Sequence, residues 1–344
     1  MRAQSAAACQ AGLGGSAQEA GDTAADTAAD MAGNMAWIAG GSFLMGSDRH
    51  YPEEAPAHPV SVDGFFIDIA PVTNRDFARF VSATGHVTLA ERPPRPEDYP
   101  GADPDLLVPG SLVFAPPVED GGPRGWRRWW RFTPGADWRH PQGPDSSVDA
   151  RMDHPVVHVC HGDALAYARW AGKELPSEAE WEFAARAGLD GADYAWGDEL
   201  APGGVHRANT WQGRFPVENL AEDGHVGTSP VSAFPPNGFG LFDMIGNVWE
   251  WTDDWYRPRH RERAGKPCCI PRNPRGGSAL ESLDLLAPGA ASPRKVLKGG
   301  SHLCAPSYCR RYRPAARQPQ TLDTASAHIG FRCVRRVALP TRTS

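Results

Sequence analysis

Asn237-Gly-Phe-Gly-Leu-Phe-Asp243-Met-Ile-Gly246-Asn247-Val-Trp249-Glu250-Trp251 sets glycine turns, oxygen-bearing side chains and tryptophans side by side. Glycines at 238, 240 and 246 interrupt any helical or strand period, so the stretch reads as ordered loop. The same texture runs through the chain: 37 glycines and 33 prolines in 344 residues make regular secondary structure sparse and loops a large part of the fold. A hydrophobic content of 41% still permits a sizeable core, in one large domain or two ordinary ones. Asp243 and Glu250, with backbone carbonyls between them, can offer oxygens to a hard cation such as Ca²⁺, and Asn209 and Asp223 form a similar pair upstream. A carboxylate in a glycine turn equally serves as a turn or cap residue.

Outward from this stretch, a few elements are legible. Residues 1 to about 34, rich in Ala, Gly, Ser, Asp and Gln, read as a disordered tail. Met35 to Gly46 suggests a hairpin bounded by glycines, and Val60 to Ile69 a strand. Thr73 with Asp76 starts a helix over Asn74 to about Ala83 that Gly85 stops, its Phe77, Phe80 and Val81 facing the core. A second helix is expected over Gly162 to Ala171, and a third after the capping box Ser177-Glu-Ala-Glu180, with Trp181, Ala184 and Ala185 inward and Gly188 at its end. Residues 92 to 125 and 257 to 294 read as long surface excursions suited to lining a cleft.

Lys298-Gly-Gly-Ser301-His-Leu-Cys304-Ala-Pro-Ser307-Tyr308-Cys309-Arg-Arg-Tyr312-Arg313 places two thiols five residues apart beside a Gly-Gly turn and arginines. Nearby cations favour a thiolate, the reactive form, and two thiolates on one point suit a soft ion such as Cu(I). A structural or disulfide-linked pair is equally compatible with the spacing.

Other classes lose ground. The formal charge of −6 argues against nucleic acid, and Arg124, Arg127, Arg128 and Arg131 interleaved with Trp126, Trp129 and Trp130 read as a loop with its tryptophans folded inward. No apolar run approaches the length of a membrane helix, and no signal-type apolar core lies between Arg2 and Asn34. Seven unevenly spread cysteines do not make a disulfide scaffold, so a reducing, cytoplasmic setting is expected. His154, His158 and His161 flank a strand-like run and read as structural histidines rather than zinc ligands. Cys268-Cys269 leaves a vicinal disulfide, a metal site and two idle thiols open. No phosphate loop, dinucleotide fingerprint or Gly-x-Ser-x-Gly elbow is present.

From Gly40-Gly-Ser-Phe-Leu-Met-Gly46 through Pro71-Val-Thr-Asn74, Ala136-Asp-Trp138, His154-Pro-Val-Val-His158, Leu175-Pro-Ser-Glu-Ala-Glu-Trp-Glu182 and Gly246-Asn-Val-Trp-Glu-Trp251 to Gly330-Phe-Arg-Cys333, the chain resembles the formylglycine-generating enzyme (sulfatase-modifying factor) family. The resemblance covers roughly residues 35 to 336 as a single domain, with 337–344 a C-terminal tail. It implies an α+β fold, a C-type-lectin-like variant with little regular secondary structure. Gly299-Gly-Ser301-x-x-Cys304-x-x-Ser307-Tyr308-Cys309 is the narrower signal, because non-catalytic paralogues lack both cysteines.

By this resemblance Cys304 and Cys309 hold Cu(I), with Ser301, Tyr308 and Trp249 close to the reacting centre and Trp138, Arg317 and His328 binding substrate. The implied reaction converts the cysteine of an unfolded sulfatase segment, Cys-x-Pro-x-Arg, to Cα-formylglycine with O2. Structural Ca²⁺ is implied at Asn209, Thr210, Asp223 and His225, and again at Asp243, Gly246, Val248 and Glu250. Neither nucleic acid nor membrane is expected as a partner. Departures are Asp243 where Asn is usual, Thr324-Ala-Ser-Ala-His328 for Ser-Ser-x-x-Asn, His302 for an aromatic, and Ala168, Ala185 and Pro314 where secretory members carry disulfide cysteines. Two other readings stay open on this fold: an iron-dependent sulfoxide synthase, and a non-catalytic lectin-like binding protein.

Overall fold

In the computed structural model the described residues are 34–99, 101–116, 129–261, 270–284 and 292–337. The expected N-terminal tail up to residue 33, Arg124 to Arg128, Cys268-Cys269 and the tail from 338 lie outside them. Contacts gather Ala36–Ser344 into one unit. Among the described residues, eleven short strands and three helices make the fold α+β. β7 (Trp249–Trp255) pairs with β8 (Arg294–Lys298) in antiparallel register, and β8 pairs with β9 (Gln318–Thr321). β10 (Ile329–Gly330) runs parallel to the start of β7, with Ile329 opposite Trp249. This sheet therefore brings the stretch around Trp249, the Lys298-Gly-Gly turn and the Gly330-Phe-Arg-Cys333 segment together.

The expected N-terminal hairpin does not form. β1 (Met35–Ile38) joins β4 (Phe65–Asp68) and β11 (Val334–Arg336), while β2 (Gly41–Met45) pairs with β3 (His58–Val62). Gly40 causes this: at φ 73°, with a Cβ position only 2.5 Å from the Val62 carbonyl oxygen, it redirects the chain between two sheets. The single strand expected over Val60 to Ile69 is likewise two, broken at Asp63-Gly64. β5 (Gly110–Phe114) and β6 (Trp130–Pro134) form a hairpin that the Pro-rich sequence between 92 and 125 hid.

The helices follow their caps. α1 (Asn74–Thr84) has the Thr73–Asp76 capping box and a left-handed Gly85. α2 spans His161–Trp170. α3 (Glu178–Arg186) begins at the Ser177–Glu180 box, but Ala187 at φ 48° closes it, one residue before the expected glycine. Phe77 of α1 packs on Phe80, Trp138, Tyr167 and Phe331, with centroids 5.3 to 6.5 Å apart. Each fully buried aromatic of this kind contributes on the order of 2 kcal/mol.

Loops without ladders need other cross-links, and buried ion pairs supply them. Glu182 accepts from Arg186 at 2.8 Å, Lys298 at 3.0 Å and the Gly46 amide at 2.8 Å. These cations hold its carboxyl down to about 2 against the opposing effect of burial. Glu54–Arg313, Glu178–Arg317 and Glu250–Arg332 are equally buried and tie segments far apart in the chain. His158 donates or accepts at both nitrogens, toward Ser111 Oγ (2.8 Å) and the Pro141 carbonyl (2.9 Å), as a structural histidine would.

Candidate active site

The thiol loop starts where β8 ends. Gly299 and Gly300 take φ 93° and 73° and turn the chain back. A Cβ on Gly300 would stand 2.9 Å from the Tyr312 N and Cα atoms, so both handedness and space require glycine there. The Cys304 amide donates to the Ser301 carbonyl at 2.8 Å, and the Tyr308 and Cys309 amides both donate to the Ala305 carbonyl at 3.1 and 3.0 Å. This single helical turn carries Cys309 back over Cys304, with the two Sγ atoms 3.3 Å apart. Both cysteines are free; Cys304 is buried and Cys309 partly open.

Their environments differ. Burial pushes the Cys304 thiol well up, whereas Cys309 is drawn down, first by its hydrogen bond with Cys304 and then by Arg311. Arg311 Nη1 lies 4.0 Å from Cys309 Sγ, pairs with Glu53 at 2.6 Å and covers the Tyr51 ring at 3.9 Å. Cys309 is thus the natural thiolate and Cys304 the thiol that donates to it.

Ser301 is fully buried, and its Oγ accepts from the Leu303 amide at 3.2 Å, holding the loop from below. Tyr308 is half exposed, stacked on Phe215 at 4.6 Å and edge-on to Trp129 at 5.0 Å. Those rings continue through Phe114, Trp211 and Trp130 to His328, whose ring lies 4.5 Å from Trp130. Nothing in the sequence marks this wall as a unit, although the expected inward folding of Trp129 and Trp130 is part of it. A cavity of about 480 Å³ lined by Phe114, Trp211, His302 and Leu303 opens beside it. Burial lowers the His328 pKa well below its ordinary value, and Ser326 Oγ lies 3.1 Å from its Nδ1.

The remaining expected residues sit around this centre in different ways. Trp249 is buried at the start of β7, its amide donating to the His328 carbonyl at 2.9 Å. Trp138 is in the core between Phe77 and Arg139, with its indole Nε1 lacking a partner. Arg317 is buried against Glu178 and donates to the Glu53 carbonyl at 3.2 Å, one residue link from Arg311.

The expected calcium residues can be weighed by their donor chemistry. Asn209 is fully buried and its Oδ1 has no hydrogen-bond partner, as an oxygen awaiting a cation would be. Asp223 accepts from the Thr210 amide at 3.0 Å and the His225 amide at 2.9 Å, so these residues converge, and their hard oxygens fit Ca²⁺. In the second set Glu250 already accepts from Trp181 Nε1 and twice from Arg332, which leaves little of its four-site capacity for a metal. Asp243, at φ 52°, is pushed up to about 6 by burial, with the Glu250 charge adding to the effect. Val248 is buried in the strand approach and Gly246 donates its amide to the Gly299 carbonyl at 2.9 Å, joining this set to the thiol loop. Asn247, also left-handed, joins the first: its amide donates to the Asn209 carbonyl at 2.8 Å, and its own carbonyl accepts from the His302 amide at 2.9 Å.

Residues 20–337 match the sulfatase-modifying factor enzyme 1-like domain, and the chain belongs to that family. It is 56% identical over 298 residues to the formylglycine-generating enzyme of Mycobacterium tuberculosis, covering 86% of this chain and 96% of that one. It is 40% identical over 311 residues to the inactive C-alpha-formylglycine-generating enzyme 2 of Mus musculus, covering 88% and 86%. Among solved structures, PvdO from Pseudomonas aeruginosa superposes with a TM-score of 0.54 at 26% identity, over 88% of this chain and 94% of that one. The expected α+β fold of this family is thereby borne out. No helix among the described residues is long and apolar enough to cross a membrane.

Proposed function

We propose that the chain is an oxidoreductase that activates sulfatases, converting the cysteine of an unfolded Cys-x-Pro-x-Arg segment to Cα-formylglycine with O2. The observation that carries this reading is the pair of free thiols 3.3 Å apart, held by the Gly299-Gly300 turn in a chain of this family. The substrate cysteine loses one hydrogen from its Cβ and one from its thiol to O2, giving a thioaldehyde and hydrogen peroxide, or two waters where two external thiols supply two more electrons and protons by forming a disulfide. The thioaldehyde then takes up water and releases hydrogen sulfide to leave the aldehyde.

Cys304 and Cys309 would hold Cu(I), which when bound supplies a soft, redox-active centre for substrate thiol and O2. The chain's own residues prepare that meeting. Arg311 and the Cys304 thiol favour the Cys309 thiolate, and Ser301 fixes the loop beneath. Tyr308, half exposed and backed by Phe215 and the buried Trp129, presents a flat apolar face on which an extended peptide can lie while water is kept out. Asn209 and Asp223 would hold Ca²⁺ as a structural ion, Asn247 passing its order to His302.

Aerobic incubation of copper-loaded protein with a Cys-x-Pro-x-Arg peptide tests the reading. The expected product is lighter by the thiol-to-aldehyde change and reacts with a hydrazide, and Cys304→Ser and Cys309→Ser each abolish it. Absence of product at proven copper loading, or full turnover by either variant, overturns the proposal.

A further inference from the structure

A second cavity, of about 350 Å³, lies between the β2–β3 hairpin, the chain following β7 and residues 271–276. Five arginines face it, Arg257, Arg259, Arg261, Arg275 and Arg317, against two carboxylates, Glu178 and Asp254. Both carboxylates are already engaged: Glu178 with Arg317, and Asp254 with Arg275 at 2.5 Å. Arg257 pairs with Glu281. Among the described residues Arg259 and Arg261 have no carboxylate partner.

The interior holds unpartnered polar atoms as well. Arg257 Nε is buried without an acceptor, and His260 Nε2 also lacks a partner. Arg317 Nε lies 2.7 Å from Glu178 Oε1 and is paired with it, so Arg317 adds charge to the wall rather than a free donor. His260 reports the local field, since burial and then the charges of Arg317 and His58 hold it neutral, well below its ordinary pKa. Buried donors cost free energy when left unmade, and guanidinium forks match the oxygen spacing of phosphate and sulfate.

We propose that this cavity binds a small tetrahedral oxyanion of the phosphate or sulfate class. Its oxygens accept from Arg259 and Arg261 at the rim and from Arg257 Nε further in, balancing the two guanidinium charges that no carboxylate among the described residues meets. The site does not depend on the oxidation proposed above.

Calorimetric titration of the full chain with inorganic phosphate, sulfate and acetate, at ionic strength matched with sodium chloride, tests this. Saturable binding of phosphate or sulfate is expected, weakened at least tenfold in the Arg259→Ala/Arg261→Ala variant, whose thermal unfolding in anion-free buffer verifies its fold. Arg259→Lys/Arg261→Lys, which keeps charge but loses the fork, should bind with intermediate affinity. No saturable binding, affinity unchanged in the alanine variant, or acetate bound as tightly as both tetrahedral anions would each overturn the proposal.

Discussion

Replacing Arg313 by Ala removes one half of a buried cross-link. Arg313 and Glu54 are 1% and 0% exposed at their side chains, and the guanidinium donates to both carboxylate oxygens, at 2.7 and 2.5 Å. A third bond, from Arg313 Nε to the Arg310 carbonyl at 2.7 Å, fixes the chain just after Cys309. Truncation leaves the Glu54 carboxylate buried and unpaired, a loss of about 3–5 kcal/mol. In a chain of this size that lowers the melting temperature by on the order of 10 °C. The exposed pair Arg95–Asp98, at 2.8 Å with side chains 68% and 46% exposed, provides the contrast, and Arg95→Ala should leave the urea midpoint close to that of the wild-type chain. Urea unfolding of Arg313→Met, Glu54→Leu and the double variant Arg313→Met/Glu54→Leu closes a cycle. The double variant should recover much of the loss, because a matched apolar pair carries no desolvation debt. If Arg313→Ala costs no more than Arg95→Ala, or the double variant loses the sum of the singles, buried charge pairing does not hold these loops.

Stability should fall steeply in mild acid. Burial holds His158, His161 and His302 neutral, each with its pKa lowered to about 4. The unfolded chain takes up these protons near pH 6.5 and the folded chain only near 4, so stability is intact above 6.5 and drains between those values by about 3 kcal/mol per histidine. A urea midpoint unchanged between pH 7.5 and 4.5 contradicts this. Gly300→Ala should destabilise by more than Gly172→Ala, because both are left-handed but only Gly300 meets backbone at 2.9 Å; equal melting temperatures would show that the turn yields. Calcium should raise the melting temperature of the wild-type chain and leave that of Asn209→Ala unmoved, since the orphaned Asn209 oxygen is the proposed ligand. An identical calcium response in both proteins removes Asn209 from the site.

Local chemistry was legible and long-range placement was not. Thr73 with Asp76, and Ser177 with Glu180, announced their helices because capping is settled within four residues. The β1–β4 pairing could not be read, since Gly40's requirement comes from Val62, far along the chain. In the site, Cys304 and Cys309 were found from a local motif, and the turn that joins them is also local. Phe215 and its stacking on Tyr308 went unseen because nothing near Phe215 in sequence marks it as a partner of the thiol loop. The pairing of Glu250 with Arg332 was equally hidden, as a carboxylate looks the same in sequence whether a metal or a guanidinium faces it.

The unequal exposure of the two thiols gives the molecule a built-in labelling order. Of the four described cysteines, Cys160, Cys304 and Cys333 are buried and only Cys309 is partly open. A brief exposure to a bulky maleimide would therefore reach Cys309 first among them, and its thiolate character speeds that attachment further. A fluorophore placed there would stand beside Tyr308 at the mouth of the aromatic wall, where its emission could report the arrival of a peptide without any turnover.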